Sequence, residues 1–260
     1  MTDELISYSK NGKVAYITFN RPPANAYNLA FYQAFYQAVV DASHDAEVGA
    51  VIVNSSSEKF FCAGADIKEF EANSTEDNQL MVAQARQTLA AMEASPKLFI
   101  AELAGHALGG GLEILMACDL RFAAEGHYKL GLPEIKLGLI PGNGGSQRLL
   151  RLVGLSKAME LLATGDVFSI DQSFAWGLVN RLYARDELAE ACFDYAKKVA
   201  NGPALAVAAT KRALRGGVEL TLEQGLALEK ELSDELYDTD DADEGFRAFL
   251  EKRDAVFSGR

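Results

Sequence analysis

The chain has 260 residues, which is long enough for one large α/β domain or for a domain with an appended subdomain. Its 37 acidic residues outnumber its 25 basic ones, and the net charge of −12 argues against binding to nucleic acid or to an anionic membrane, because both need a basic surface. No apolar run is long enough to span a membrane, and the start Met1-Thr2-Asp3-Glu4 lacks the basic and apolar regions of a signal peptide. We therefore expect a cytoplasmic protein without nucleic-acid or membrane partners.

Cysteine and histidine side chains give no sign of a disulfide framework or a metal centre. They are widely spaced, with no Cys-x-x-Cys pair and no metal-ligand spacing: Cys62, Cys118, Cys192, His44, His106 and His127. Cys118 and Cys192 lie on apolar helical patterns, so we expect them to be buried as small hydrophobic residues. We expect no bound metal.

The first hundred residues alternate strand and helix patterns. The sequence predicts strands at 5–9, 14–19, 50–54 and 98–103 and helices at 29–42 and 74–94. Asn11-Gly12 joins the first two strands and is a strong hairpin signal. Aromatic residues recur at helical spacing in the first helix, which indicates a face buried in the core.

Helices dominate the second half. The sequence predicts strands at 119–124, 128–131 and 178–183 and helices at 144–152, 156–163 and 169–176. From residue 186 onward four helical stretches follow one another. Helices so rich in charge must bury their apolar faces against the main body or against another subunit.

The segment 105–113, Gly-His-Ala-Leu-Gly-Gly-Gly-Leu-Glu, joins the apolar strand 98–103 to a helix predicted at 112–118. Backbone amides at the start of a helix have no partners within it, and glycines let a ligand approach them. Such a helix start can stabilise a developing negative charge, and Glu113 would place a proton-handling group on the same element. The alternative is an ordinary glycine-rich turn in which Glu113 only complements the helix dipole.

A second turn of this kind follows the strand at 50–54. The stretch 60–68 again passes from an apolar strand through small residues into a helix. Two such strand ends side by side would bring two clusters of unpaired amides near one point. The alternative is a plain tight turn in which Asp66 caps a helix.

A loop at 132–142 is rich in turn residues yet apolar elsewhere, so we expect it to be buried or to line a pocket. Glu134 is its exception. A carboxyl among apolar neighbours would be desolvated, so its pKa should rise and its protonated form should be available near neutral pH. The alternative is that Glu134 points to water or pairs with Lys136 or Arg148.

These segments together resemble the crotonase superfamily, and within it the enoyl-CoA hydratases. The resemblance covers nearly the whole chain and rests on five stretches in family order: 61–70 (FCAGADIKEF), 107–113 (ALGGGLE), 131–134 (GLPE), 140–148 (IPGNGGSQR) and 248–253 (AFLEKR). It implies an α/β fold, a spiral of ββα units carrying the active site over residues 1–196, and a C-terminal helical oligomerisation region over 197–260. It also implies assembly as a homo-oligomer, a trimer or a dimer of trimers.

The resemblance further implies a catalytic arrangement. The amides of Ala63 and Gly110 would form an oxyanion hole for the thioester carbonyl. Glu113 would deprotonate the water that attacks Cβ of a trans-2-enoyl-CoA, and protonated Glu134 would supply the proton at Cα. Relatives that isomerise 3-enoyl-CoA commonly keep only the glutamate matching Glu134, so the presence of both favours hydration to a 3-hydroxyacyl-CoA, in fatty-acid or amino-acid breakdown.

The substrate would be an acyl-CoA thioester, and the resemblance implies no cofactor beyond the coenzyme A within it. The family's pattern gives its contacts as Asn25, Ala26, Ala63, Ala65, Asp66, Ile67 and Lys68, with Phe249 and Lys252 supplied by a neighbouring subunit. Leu132 stands where hydratases often have a polar residue, and Asn143 where a small apolar one is common; both put the acyl preference and the reaction in question. The alternatives are isomerisation of a 3-enoyl-CoA and a CoA-ester-binding scaffold without turnover.

Overall fold

The computed structural model describes residues 5–260. Its strands are β1 (Ile6–Asn11), β2 (Val14–Phe19), β3 (Ala50–Ser55), β4 (Phe60–Cys62), β5 (Leu98–Leu103), β6 (His106–Leu108), β7 (Leu120–Ala124), β8 (Lys129–Gly131), β9 (Phe168–Ser169) and β10 (Arg181–Tyr183). Its α-helices are α1 (Leu29–His44), α2 (Ile67–Ala72), α3 (Thr75–Ala94), α4 (Gly110–Ala117), α5 (Gly145–Val153), α6 (Leu155–Thr164), α7 (Ile170–Ala175), α8 (Leu188–Ala200), α9 (Ala204–Gly217), α10 (Leu222–Asp234) and α11 (Asp240–Glu251). The predicted α/β fold class is confirmed.

The larger sheet has six strands in the order β1-β2-β3-β5-β7-β10. The predicted hairpin is confirmed, because β1 and β2 pair antiparallel up to Asn11 and Val14, with Gly12 at a φ of +59° in the turn. The other neighbours in this sheet pair in parallel.

Both faces of this sheet are buried, which explains why its central strands are apolar throughout. In β3, Val51 and Val53 face the core shared with α1 and α3, whereas Ala50 and Ile52 face α8. The aromatic face of α1 lies in the first of these cores, as predicted, and its largest members are fully buried: Phe31, Tyr32 and Phe35.

The smaller sheet, in the order β4-β6-β8-β9, positions the two glycine-rich turns. Because β4 and β6 are parallel neighbours, the turns that follow them lie at the same edge. The predicted juxtaposition of the two strand ends is confirmed. Helix α4 begins at Gly110, two residues before the predicted start, so more of the glycine run is helical than expected.

The loop at 132–142 differs from its prediction. It contains a 3₁₀ turn at Pro133–Leu137, and although Leu132 is buried, four other apolar side chains are exposed: Ile135, Leu137, Leu139 and Ile140. The expectation of burial is therefore wrong for most of the loop in the single chain, and the alternative that it lines a pocket stays a prediction. The short 3₁₀ turn directs Glu134 inward and leaves its apolar neighbours facing outward.

The four predicted C-terminal helices are present as α8 to α11. The predicted division at residue 196 falls within α8, which packs on the larger sheet, so this division stays a prediction. Among residues 5–260, no helix combines the length and the apolar character needed to cross a bilayer.

Candidate active site

The start of α4 is closely packed, and this packing explains its glycines. Gly109 precedes the helix with a φ of +52°, a conformation that glycine adopts without strain. A Cβ on Gly110 would overlap the ring of Tyr27, and one on Gly111 would overlap the carbonyl of Cys62. The two later glycines therefore let the first turn of α4 lie directly against β4 and Tyr27.

Of the two predicted oxyanion donors, Gly110 lies at this point, whereas the N–H of Ala63 is engaged elsewhere. The N–H of Ala63 donates to the carbonyl of Ala24 at 3.0 Å, so its assignment to the oxyanion hole is wrong. A parallel bridge joins Tyr27 to Ala65: Tyr27 N–H donates to Gly64 and Asp66 N–H donates to Tyr27, both at 2.8 Å. Because successive amides of an extended chain point in opposite directions, the N–H of Ala65 faces away from Tyr27.

In the part of the chain that the structure describes, two backbone N–H groups therefore have no acceptor at the point where the two glycine-rich turns meet. Within residues 5–260, neither Ala65 nor Gly110 donates its N–H to another group of the protein. The turns are in contact, since a Cβ on Gly64 would lie 3.7 Å from the nitrogen of Gly110. The N–H directions alternate along an extended segment, so the sequence could have identified Ala65 as the residue with a free N–H. That step required knowing that Tyr27 pairs with this segment.

Glu113 occupies the first turn of α4 and is 1% exposed. Its Oε1 accepts the N–H groups of Asn143 and Gly145, both at 2.7 Å. Burial raises the pKa of Glu113, while the two amides, and after them the charge of Arg148, oppose the rise. The carboxyl is thus held in one orientation by donors that favour its ionised form.

Glu134 lies in the 3₁₀ turn beside the same helix start. A Cβ on Gly109 would come within 3.1 Å of its Oε1, and its buried Oε2 has no hydrogen-bond partner within the described chain. Burial, and then the nearby charge of Glu113, raise the pKa of Glu134 to about 7. The predicted desolvation is confirmed.

The proposed partners of Glu134 are engaged elsewhere. Lys136 lies 3.9 Å from Asp166, and Arg148 donates to Glu93 from Nε and Nη2. The alternative in which Glu134 pairs with either cation is therefore wrong.

Sequence reasoning singled out Asn143 as a departure from the family but did not link it to Tyr27, which it did not place in the site. Both side chains are buried, and Asn143 Nδ2 donates to the hydroxyl of Tyr27 at 3.2 Å. Asn143 Oδ1 is buried without a partner in residues 5–260. The pair is separated by 116 positions in the chain, so no local pattern could have revealed it.

The predicted coenzyme A contacts divide into two groups. Asn25 is 1% exposed, and its side chain is spent on Ser55, on the Phe61 carbonyl and on the N–H of Arg21. The Asn25 side chain therefore holds the loop together, and a coenzyme A contact through the loop around Asn25 stays a prediction.

Arg21 engages two further predicted contacts, donating to the Ala26 carbonyl and pairing with Asp66 at 2.8 Å. Ile67 and Lys68 are exposed beyond them. Phe249, which is 83% exposed, and Lys252 lie at the end of α11, open to solvent in the single chain. The roles of these exposed residues stay predictions.

The cysteines are buried thiols, as expected for Cys118 and Cys192, and Cys62 is buried as well. Burial raises the pKa of Cys62 to about 12, which leaves it protonated. Over the described range 5–260, no group of three or more His, Cys, Asp or Glu side chains could hold a metal ion.

The site thus combines the carboxyl of Glu113, held as an acceptor, with the carboxyl of Glu134, whose pKa is about 7. The amides of Ala65 and Gly110, unpaired within residues 5–260, lie where the two turns meet. Such a set can remove a proton, deliver one, and stabilise an oxyanion between the two events. This is the equipment of an acid–base enzyme acting beside a carbonyl group.

Comparisons with known proteins agree with this chemistry. The family model described as Enoyl-CoA hydratase/isomerase matches residues 9–260. A probable enoyl-CoA hydratase of Rhizobium meliloti is 40% identical, with both chains covered completely. A short-chain-enoyl-CoA hydratase of Clostridium acetobutylicum is 37% identical over 94% of each chain.

Solved structures agree as well. The crystal structure of an enoyl-CoA hydratase from Geobacillus kaustophilus superposes with a TM-score of 0.96 at 38% identity, covering 100% of this chain and 98% of that one. One from Bacillus anthracis gives 0.95 at 37% identity, covering 98% of this chain and 100% of its own. The chain belongs to the enoyl-CoA hydratase/isomerase family. The expectations of a crotonase-type fold and of enoyl-CoA hydratase activity are thereby confirmed.

Proposed function

We propose that this site adds water across the double bond of a trans-2-enoyl-CoA, with Glu113 as the base, Glu134 as the acid, and the amides of Ala65 and Gly110 as the oxyanion hole. The observation that carries the proposal is the difference between two neighbouring carboxyls. Glu113 accepts two amide hydrogen bonds, whereas Glu134 has an unpartnered oxygen and a pKa near 7. Each carboxyl is thus prepared for one of the two proton transfers.

The proton and electron movements balance as follows. Glu113 takes one proton from water as the water oxygen bonds to Cβ. The π electrons of the double bond move toward the thioester, and the charge that gathers on the thioester oxygen is stabilised by the two amides. Cα then takes the proton of Glu134. An oxyanion-hole donor is worth roughly 3 kcal/mol of transition-state stabilisation by precedent in other enzymes.

The coenzyme A portion belongs, in this proposal, beside the exposed end of the second turn. Lys68 and Ile67 follow Ala65 directly and are open to solvent. In a chain with a net charge of −12, a local cation such as Lys68 is needed to offset the field acting on the phosphates. Phe249 and Lys252 would join from a neighbouring subunit. The proposed chemistry calls for no metal or redox cofactor.

Exposed apolar side chains on the last helices support a homo-oligomer, a trimer or a dimer of trimers. The most exposed are Leu222, Phe249 and Leu250. Apolar surface of this kind on consecutive helices is typical of an interface. The setting we propose is the cytoplasm and the breakdown of fatty acids or amino acids.

A second candidate is isomerisation of a 3-enoyl-CoA, which the name of the family includes. It would need one carboxyl to move a proton between carbons. The careful fixing of Glu113 by two amides favours hydration over this alternative. A scaffold without turnover is disfavoured because both carboxyls retain perturbed pKa values in one site.

The ultraviolet absorbance of the conjugated thioester tests the proposal. With crotonyl-CoA the enzyme should remove the absorbance, because hydration destroys the conjugation. With a 3-enoyl-CoA an isomerase would create it. Absorbance unchanged in both assays would leave only a binding function and would overturn the proposal.

The oxyanion hole has a matched test of its own. Replacing the amide between residues 64 and 65 by an ester removes the N–H of residue 65 and weakens the Gly64 carbonyl as the acceptor for Tyr27, and we expect kcat to fall by about 10²- to 10³-fold. The same replacement at residue 63 removes the bond to Ala24 and should cost about 1 kcal/mol of stability with little loss of kcat. The reverse pattern in kcat would return the role to Ala63.

A further inference from the structure

Arg148, on α5, donates hydrogen bonds from all three nitrogens of its guanidinium group. Its Nε and Nη2 donate to the two carboxylate oxygens of Glu93 at 2.7 and 2.9 Å, and its Nη1 donates to the carbonyl of Asn143 at 2.7 Å. The Arg148 and Glu93 side chains are only 19% and 26% exposed. A bidentate, partly buried pair of this kind fixes geometry far better than a surface ion pair.

The residue that Arg148 grips is the one that holds Glu113. Asn143 donates its N–H to the carboxyl of Glu113 and accepts from Arg148 with its carbonyl, so the loop is held from both ends. Gly144 lies between Asn143 and Gly145, whose N–H groups form an amide cradle for the carboxyl of Glu113. Its φ is +102°, and a Cβ there would overlap Arg148. Any displacement of Arg148 would therefore move the amides that orient Glu113.

The same network reaches the C-terminal helices. Arg215, on α9, donates to Glu93 at 3.0 Å, to Asp119 at 2.7 Å and to the carbonyl of Ala117 at 3.1 Å. Ala117 is the last residue of α4, the helix that carries Glu113. A closed series of contacts therefore runs from Glu113 through the Asn143–Gly145 loop, Arg148, Glu93 and Arg215 and returns to α4, the helix that carries Glu113.

We propose that Glu93 is a positioning residue for the catalytic base: it fixes Arg148, which fixes the Asn143–Gly145 loop that aims the carboxyl of Glu113. The inference rests on the proposed role of Glu113. A displacement of about 1 Å at a reacting group can cost roughly 10²-fold in rate, so the support of the loop matters for turnover as well as for stability.

Glu93→Gln tests the proposal, because it preserves the shape of the side chain and removes the charged fork. We expect kcat with crotonyl-CoA to fall by about 10- to 100-fold, with KM within about twofold of the wild type. The matched control is Glu219→Gln, which takes the carboxylate away from Arg151, an exposed residue of the same helix α5 as Arg148. Its kcat should equal that of the wild type.

Two substitutions of Arg148 separate geometry from charge. The groups that face the carboxyl of Glu113 are the amide N–H groups of Asn143 and Gly145, the Asn143 side chain, the Arg148 cation, the carboxyl of Glu134 and the buried phenols of Tyr27 and Tyr32. Arg148→Lys keeps the cation but cannot bind Glu93 and Asn143 together, so kcat should fall while the acidic limb of the pH profile stays in place. Arg148→Met should also move that limb to higher pH, because the cation lowers the pKa of Glu113.

The outcomes are distinct. A folded Glu93→Gln protein with wild-type kcat, or with a raised KM alone, overturns the positioning role. If that variant does not fold, Arg148→Lys decides in the same way through kcat. A wild-type protein that hydrates no enoyl-CoA overturns the proposed function instead, and the two failures cannot be confused.

Discussion

Glu113 and Glu134 lie in two regions built in opposite ways. Glu113 stands on a regular helix, nearly inaccessible to solvent, with an oxygen held by two amides. Glu134 stands on a 3₁₀ turn in a largely exposed loop, and one of its oxygens has no partner in the described chain. Burial raises the pKa of both; the amides of Asn143 and Gly145 counteract the rise at Glu113, whereas only its own backbone N–H does so at Glu134.

The contrast shows how one site can hold an acid and a base of the same residue type. Donors around a carboxyl stabilise its charge, and an apolar setting without donors stabilises its proton. The regular helix provides the fixed base. The loop provides a carboxyl whose protonation costs little near neutral pH.

Replacing either carboxyl by an amide should have the largest effect on turnover. We expect Glu113→Gln and Glu134→Gln each to reduce kcat for hydration by about 10²- to 10⁴-fold, the usual worth of general acid–base catalysis. Glutamine can still accept the amides of Asn143 and Gly145 through its carbonyl oxygen, so the fold should persist. Steady-state kinetics with crotonyl-CoA and circular dichroism measure the two properties.

Tyr32→Phe is a control, because the buried Tyr32 hydroxyl has no hydrogen-bond partner in residues 5–260 and takes no part in the proposed proton transfers. That variant should keep its turnover. A correctly folded Glu113→Gln or Glu134→Gln protein with near-normal hydration would remove that residue from the mechanism.

The pH dependence of kcat/KM should show the different protonation states of the two carboxyls. Activity should be lost as the pH rises through about 7, because Glu134 must keep its proton to act as the acid. On the acidic side, activity should be lost as Glu113 becomes protonated, at a pH above the ordinary range for a glutamate. Initial rates of crotonyl-CoA hydration from pH 5 to 9 give both limbs. A profile that stays flat to pH 9 would contradict the acid role of Glu134.

Local pattern was enough to predict half of this contrast. The glycine run followed by Glu113 is contiguous, and the apolar neighbours of Glu134 are adjacent in sequence, so the helix start and the desolvated carboxyl could both be inferred. The hairpin at Gly12 and the buried face of α1 follow from short periods in the same way.

The support of the two carboxyls could not be predicted, because it is made by residues far apart in the chain. Glu93 and Arg148 are separated by 55 positions, and Glu93 and Arg215 by 122. The choice between Ala63 and Ala65 depended on which amide meets Ala24, and the exposure of the apolar loop depended on the direction of a 3₁₀ turn. Each is a question of tertiary pairing.

The smallest expected effect is on stability. The pKa of Glu134 is raised from its ordinary value of 4.5 to about 7, so between these values the folded protein keeps a proton that the unfolded chain has lost. The free energy of unfolding therefore decreases as the pH rises through this window, and the penalty is complete above it. Glu134→Gln removes the penalty and should stabilise the protein at pH 8 by about 1 to 3 kcal/mol, with no gain at pH 4.

Glu113→Gln should stabilise the protein less at pH 8, because its two amide hydrogen bonds already offset part of the cost of burying its charge. Urea unfolding of the three proteins at pH 4 and pH 8 measures these differences. Equal stabilisation by the two substitutions, or a loss of stability in Glu134→Gln at pH 8, would mean that the amide cradle does not distinguish the two carboxyls. A gain confined to Glu134→Gln at high pH would show that the acid is kept ready at the expense of the fold's stability.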